Sequence, residues 1–521
     1  MAEDTNTSTG LTGSGVAPTA TSADARDVPL ALPADEFRRL GYRLVDQIGA
    51  LLVDLGSRPV TTGESPADVK RQLDADAPLP AAPAPPDALL SRALSLLADH
   101  SLFNGHPRFF GYITASPAPI GILGDFLAAA VNANAGAWRL SPMASEMEGQ
   151  TVRWIAQLLG YPDDGGGLFV SGGNMANIVG FLAARAAAGR DWEIRARGVG
   201  SRDAHPLAVY ASVETHTWLQ KAADLSGIGT EAIRWVPTDV DARLDVGALR
   251  TMLDDDRAAG VVPMLVVGTA GSVSTGVVDP LADIAAVCRD HGVWFHVDGA
   301  YGAPAAAVPG TPDDLRALHL ADSLAVDPHK WLYAPLEAGC VLTRDAGVLR
   351  DAFSYHPPYY HFEDRDGVNY VDLGPQNSRG FKALKVWLML QHAGADGYRR
   401  MIADDIALAR RLYDAAAAHP ELEACSHALS ITTFRYVPAD RAPHVGHPDT
   451  EGYLNALNEA VLERLQRSGT AFVSNAVVRG RYLLRACIVN INTRNKDVDE
   501  LPRLVARVGA DVHASGDVAP H

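Results

Sequence analysis

Between residues 167 and 326 the sequence alternates short, almost wholly apolar runs with longer stretches of helical periodicity. The runs lie at 167–170, 207–210, 264–267, 293–297 and 323–326. A strand with one wet face alternates apolar and polar residues, whereas a strand that is apolar throughout is covered on both faces. Helices between such strands supply the crossovers that parallel pairing requires. The pattern predicts an α/β fold with a mostly parallel central sheet covered by helices. Ligands of such sheets bind beyond the carboxyl ends of the strands, so chemistry is expected in the residues that follow each run.

The flanks read differently. Phe37, Leu40, Leu44, Ile48 and Leu51 recur at helical spacing, and a second helix is expected over 87–100. The five prolines of 77–86 make a linker between them. This N-terminal helical segment, 32–118, is too short for a deep core of its own. It is expected to pack on another subunit or on the large domain, 119–398. Beyond Gly380 the pattern changes. Helical runs at Phe381, Leu384 and Leu388 and at Ile402, Ile406, Ala409 and Leu412 precede strand-like runs at 429–436 and 482–489. These predict a smaller C-terminal α+β domain, 399–511, with an exposed loop over 438–452. The Ser/Thr/Gly-rich start, 1–31, and the end, 512–521, are expected to be disordered tails. The start has neither the basic residues nor the apolar core of a signal peptide.

Charge and cysteine usage exclude several function classes. With 45 basic and 62 acidic residues the net charge is −17, which argues against nucleic acid and anionic membranes as partners. No uninterrupted apolar stretch is long enough to cross a bilayer. Cys288, Cys340, Cys425 and Cys487 are widely spaced without a CxxC pair. They are expected to be free thiols in a reducing cytoplasm, with no metal site.

Five candidates follow the apolar runs. Lys330, in AVDPHKW (325–331), stands after a buried strand, an unusual place for a lysine. Taken singly it would more often be a surface residue. A lysine that forms a Schiff base with pyridoxal 5′-phosphate (PLP) accounts for the position better. Asp298, in HVDGAY (296–301), is either a turn or cap residue or the carboxylate that keeps a PLP pyridine nitrogen protonated. Ala300 beside it is small enough for a ring to approach the backbone. In SGGN (171–174) a strand passes through two glycines into a helix, whose free N–H groups at Gly173 and Asn174 suit a phosphate. His216 is either a core histidine or a ring that stacks on the pyridine. Thr269 and Ser272 are hydroxyls at a strand end, which either bond the cofactor or fix a neighbour.

The order of these pieces, with HVDGAY and DPHKW as the most specific, resembles the group II PLP-dependent amino-acid decarboxylases. This is the family of aromatic-L-amino-acid and glutamate decarboxylases. The resemblance runs from Phe37 to about Val508 and includes HPRFFGY (106–112), SPMASEME (141–148) and YLLRA (482–486). It implies the type I PLP-dependent transferase fold, a homodimer and an active site at the subunit interface. It implies Lys330 as the Schiff-base lysine, Asp298 as the pyridinium partner and His216 as the stacking ring. Gly173, Asn174 and His329 are then expected near the phosphate and Thr269 near the cofactor.

The resemblance also implies a mobile loop that supplies a tyrosine to protonate the substrate carbanion. The glycine- and proline-rich segment 354–377 fits that loop. Counting back from the helix FKALKVW (381–387) points to Tyr370, with Tyr355, Tyr359 and Tyr360 as competitors. Tyr112, Trp138, Tyr333 and Leu336 are candidates to line the substrate pocket. Asn104, Gly136 and Leu336 stand where animal aromatic decarboxylases carry aromatic groups. No basic residue stands out to bind a second substrate carboxylate. The expected reaction is decarboxylation of an L-amino acid, aromatic by first choice and branched, acidic or other next. Alternatives are an aldehyde synthase, an aminotransferase using Arg485 for the substrate carboxylate, and a non-catalytic scaffold on the same fold.

Overall fold

The structure is a computed structural model that describes Arg26 and residues 28–355 and 367–516. Its seven-stranded sheet comprises β1 (Gly166–Val170), β2 (Leu207–Ser212), β3 (Ile233–Val236), β4 (Val262–Thr269), β5 (Trp294–Asp298), β6 (Ser323–Val326) and β7 (Gly339–Thr343). The order is β1-β7-β6-β5-β4-β2-β3. Neighbours run parallel from β6 through β3, and β7 is antiparallel to both β6 and β1. All five predicted strands are present. The sequence reading missed β3 and β7, the latter because Gly339-Cys-Val-Leu-Thr343 follows a proline-containing connection.

Strands β2, β6 and β7 are buried along their whole length, as a sheet with two covered faces requires. The helix Gly173–Ala188 packs on one face and the helices Pro142–Leu159 and Leu281–His291 contribute to the core on the other. A second sheet, β10-β11-β9-β8, is antiparallel and comprises β8 (Leu422–Ala428), β9 (Ile431–Tyr436), β10 (Ser474–Val478) and β11 (Arg481–Cys487). The helices Pro448–Ser468 and Asn495–Ser515 pack against it around Leu454, Val461, Phe434 and Leu501.

Three expectations need correction. The loop assigned to 438–452 is helical from Pro448, where proline at the first turn and Asp449 and Glu451 favour a helix start. The tail assigned from 512 begins inside a helix that runs to Ser515, because Val512 is buried. The two helices expected beyond Gly380 form one element, Ala383–Ala417, with a non-helical residue at Gly394 (φ 64°, ψ 168°). Residues 1–25, 27 and 517–521 of the two tails lie outside the described residues.

The N-terminal helices make a unit of their own over 1–53 and 80–94. The helix Ala34–Asp54 and the start of Pro86–His100 are linked by Arg43, which donates to Asp87 and Ser91. Phe37, Tyr42, Val45 and Leu89 remain exposed in this unit. Among the described residues no helix is long and apolar enough to cross a membrane.

Candidate active site

Five strand ends converge on one cleft. Gly173, Asn174, His216, Thr269, Asp298, Ala300 and Lys330 all line it, with Glu214, Asn177, Ile113, Val273 and Tyr301. Tyr112, Trp138 and Leu336 do not line it in this chain. Tyr112 and Leu336 are exposed, and the Trp138 indole donates to Glu146. Gly136 has no room for an aromatic group, since a Cβ there would meet the Asn377 carbonyl at 2.2 Å. Tyr333 is buried, does not line the cleft, and donates from its hydroxyl to Asp405.

Beyond β1 the chain turns through Gly172, at φ 155°, into the helix Gly173–Ala188. A Cβ on Gly173 would stand 2.6 Å from Asp327 Oδ2 and 2.8 Å from the Ala300 Cβ. Glycine therefore lets the helix start pack close against Asp327 and Ala300, and Gly173 lines the cleft. His329 lies against this turn. Its Nδ1 is 3.0 Å from Asp327 Oδ1 and 2.9 Å from the Ala338 carbonyl, and burial holds its pKa below the usual imidazole value.

Lys330 follows β6 in a closed turn. Its N–H donates to the Asp327 carbonyl at 2.8 Å, and its Nζ is 3.2 Å from Asp327 Oδ2. Asp298 ends β5; its Oδ1 accepts from Ala300 N at 3.2 Å and its Oδ2 from Trp218 Nε1 at 2.8 Å. His216 accepts at Nδ1 from Trp218 N at 3.2 Å. Burial lowers the His216 pKa, partly opposed by the Asp298 charge, so the ring is neutral at pH 7. Thr269 ends β4, and its Oγ1 is buried without a hydrogen-bond partner in the protein. A buried hydroxyl without a partner is costly, so this atom points to a ligand in the cleft.

Tyr370 is not in the cleft. It is 2% exposed, packs with Leu168, Val341 and Leu349, and carries the Arg379 guanidinium 4.8 Å above its ring. Its hydroxyl is 3.4 Å from the Ser145 carbonyl, and burial drives its pKa well above that of a free phenol. A group so packed cannot hand a proton into the cleft without leaving the core, which overturns the counting argument that selected it. Of its competitors, Tyr355 is exposed with Arg195 4.5 Å over its ring, and Tyr359 and Tyr360 lie outside the described residues. Tyr370→Phe is therefore expected to keep amine formation within about twofold, at a cost of about 0.5–1.5 kcal/mol in stability. A switch from amine to aldehyde product, read by chromatography of the reaction, would restore Tyr370 to the mechanism.

Comparison with known proteins agrees with this geometry. The pyridoxal-dependent decarboxylase conserved domain matches residues 66–437. An aromatic-L-amino-acid decarboxylase of Bacillus atrophaeus is 32% identical over 495 residues, covering 93% of this chain and 98% of that one. A tyrosine decarboxylase of Oryza sativa subsp. japonica is 34% identical over 504 residues, with 94% and 93% covered. The chain belongs to the pyridoxal-dependent decarboxylase family. Among solved structures, Oryza sativa TDC with PLP and tryptamine superposes with a TM-score of 0.85 at 29% identity, over 92% of this chain and 99% of that one.

Membership of the pyridoxal-dependent decarboxylases makes PLP the cofactor and a carboxy-lyase the enzyme class. The cleft fits that group: a helix start at Gly173 and Asn174 along its wall, the partnerless Thr269 hydroxyl, a carboxylate at Asp298 and a primary amine at Lys330.

Residues that sequence reasoning missed hold these groups from behind. His296 is fully buried between Ser323 Oγ and Asn177 Oδ1, and burial pushes its pKa down to about 4. Trp331 stacks on Tyr301, with centroids 5.1 Å apart, and its indole donates to Asp405 Oδ2 at 2.9 Å. The Tyr333 hydroxyl donates to the same oxygen at 2.8 Å. Burial raises the Asp405 pKa from 3.8 to about 7, against the pull of these two donors. The folded chain thus binds this proton more tightly than the unfolded chain. The resulting stabilisation is full below about pH 3.8 and is lost as pH rises to about 7. Asp405→Asn is expected to flatten the stability profile across that window, measured as melting temperatures from pH 4 to pH 8. Parallel profiles for the two proteins would contradict the assignment.

Proposed function

We propose that this enzyme decarboxylates an aromatic L-amino acid to its amine and CO₂. The observation that carries the reading is the convergence of Lys330, Asp298 and His216 on one cleft. In that cleft no arginine is available for a second substrate carboxylate among the described lining residues. The substrate class is supported by the relatives, which are aromatic-amino-acid and tyrosine decarboxylases.

PLP, when bound, supplies an electron sink for the electron pair left as CO₂ departs. Lys330 would supply the primary amine that anchors the cofactor. Asp298 presents a carboxylate to the ring nitrogen, and His216 presents a neutral ring face. The N–H groups at Gly173 and Asn174 and the nearby His329 take the phosphate, and Thr269 takes a polar group of the cofactor. Ile113 and Val273 make part of the wall apolar, which favours protonation by a positioned donor over bulk water.

The aminotransferase reading loses its arginine. Arg485 is buried and donates to Ser474 Oγ at 3.2 Å and to the Tyr112 carbonyl at 3.0 Å. We further propose a homodimer. The helix Pro119–Val131 leaves Leu123, Phe126, Leu127 and Val131 exposed, and a second copy would cover this apolar row. Tyr112, Trp138 and Leu336, which do not line the cleft of their own chain, would then reach substrate from the partner's side of the interface. A cytoplasmic location is supported by four cysteines that are all free thiols.

A panel of amino acids scored for CO₂, amine, aldehyde and, with 2-oxoglutarate added, glutamate tests the reaction. Amine and CO₂ from tyrosine, tryptophan or phenylalanine are expected. Aldehyde as the main product would make the enzyme an aldehyde synthase, and glutamate an aminotransferase.

A further inference from the structure

Trp218 opens the helix Trp218–Leu225 just beyond His216 and is fully buried. An indole has a single polar atom, a donor. Here that atom lies 2.8 Å from Asp298 Oδ2, on a residue 80 positions later in the chain. The indole is wedged edge-on between Phe181 and His296, with centroids at 6.4 and 5.7 Å. Its N–H is therefore aimed by packing and has little freedom to turn away. The backbone N–H of the same residue donates to His216 Nδ1 at 3.2 Å, which leaves the ring proton on Nε2.

We propose that Trp218 is a positioning residue for the cofactor: its indole N–H orients the Asp298 carboxylate, while its backbone N–H fixes the tautomer of His216. The inference rests on the reading that Asp298 faces the pyridine nitrogen and His216 the ring. A carboxylate held in one orientation would face the pyridine nitrogen and keep it protonated, the state in which the ring draws electrons most strongly. Ala300 N holds the other oxygen at 3.2 Å, so both oxygens are oriented and each keeps a lone pair for the ring nitrogen. A serine or alanine at position 218 could not span from the end of β2 to the end of β5.

The test is a double-mutant cycle on PLP dissociation, read by absorbance and fluorescence of purified enzyme. Trp218→Phe keeps an aromatic ring but removes the donor. PLP binding is expected to weaken about tenfold, the loss of one charge-assisted hydrogen bond, and the pH dependence of the cofactor's visible band is expected to shift. In an Asp298→Asn background the same change should cost less than about threefold, because its partner carboxylate is gone. Equal losses in both backgrounds would reduce Trp218 to a packing residue and overturn the inference. Unchanged PLP affinity in Asp298→Asn alone would overturn the reading of Asp298 and this inference with it. If Trp218→Phe does not fold, Trp218→His and Trp218→Leu replace it. The histidine can still donate and should bind PLP more tightly than the leucine, and equal affinities would again overturn the inference.

Discussion

Lys330→Ala is expected to abolish turnover, by about a thousandfold or more, and to remove the visible absorption of bound cofactor. Lys330 is the one primary amine among the described residues that line the cleft. Its Nζ is held 3.2 Å from Asp327 Oδ2 at the end of β6. Alanine removes the nucleophile but leaves Asp298, His216, Gly173 and Thr269 in place. PLP should therefore still bind, without a covalent link, and be lost on gel filtration. Lys330→Arg separates charge from chemistry. It preserves a cation beside Asp327, yet a guanidinium stays protonated and is no nucleophile at neutral pH. It is expected to be as inactive as the alanine variant. Amine production within tenfold of the parent enzyme in either variant would remove Lys330 from the reaction.

The strand-end candidates were legible because buried parallel strands are continuous apolar runs, and the polar residue that breaks each run marks a strand end. Lys330, Asp298 and Thr269 could be found this way from one sequence. Residues acting through space were not. The partner of Trp218 is 80 positions away and that of Trp331 is 74 positions away, so nothing local in the sequence marks either indole as a donor to that carboxylate. Tyr370 failed for the opposite reason. Its place in the chain suited a loop tyrosine, but the cation above its ring and the apolar residues around it make it part of the core. Proline and glycine density also misled at Pro448, where proline starts a helix rather than interrupting one.

Arg379→Met is expected to destabilise the fold by about 3–5 kcal/mol, the cost of leaving a buried charge without its partner. Arg379 is 4% exposed and Glu148 is fully buried, and the two face each other with Arg379 Nη1 3.1 Å from Glu148 Oε2. Arg379 also donates to the carbonyls of Ala135 and Phe169, at 2.8 and 2.6 Å, and Glu148 accepts from Phe169 N at 2.9 Å. The pair thus closes both backbone groups of a residue in β1, one residue before the strand ends at Val170. For a chain of this length the unfolding entropy is roughly 1 kcal/mol per degree, so the melting temperature should fall by about 3–5 °C. Glu148→Gln keeps an acceptor near Phe169 N but strands the Arg379 cation, and should cost a similar amount. The double replacement should cost clearly less than the sum, because no unpaired charge is left. Additive losses would mean that the two residues stabilise the fold through separate packing contacts. The strand they hold leads into the turn at Gly172 and Gly173, so the single variants should also weaken PLP binding. The double variant, with the Ala135 and Phe169 carbonyls unmet but no stray charge, should recover stability more fully than it recovers cofactor affinity.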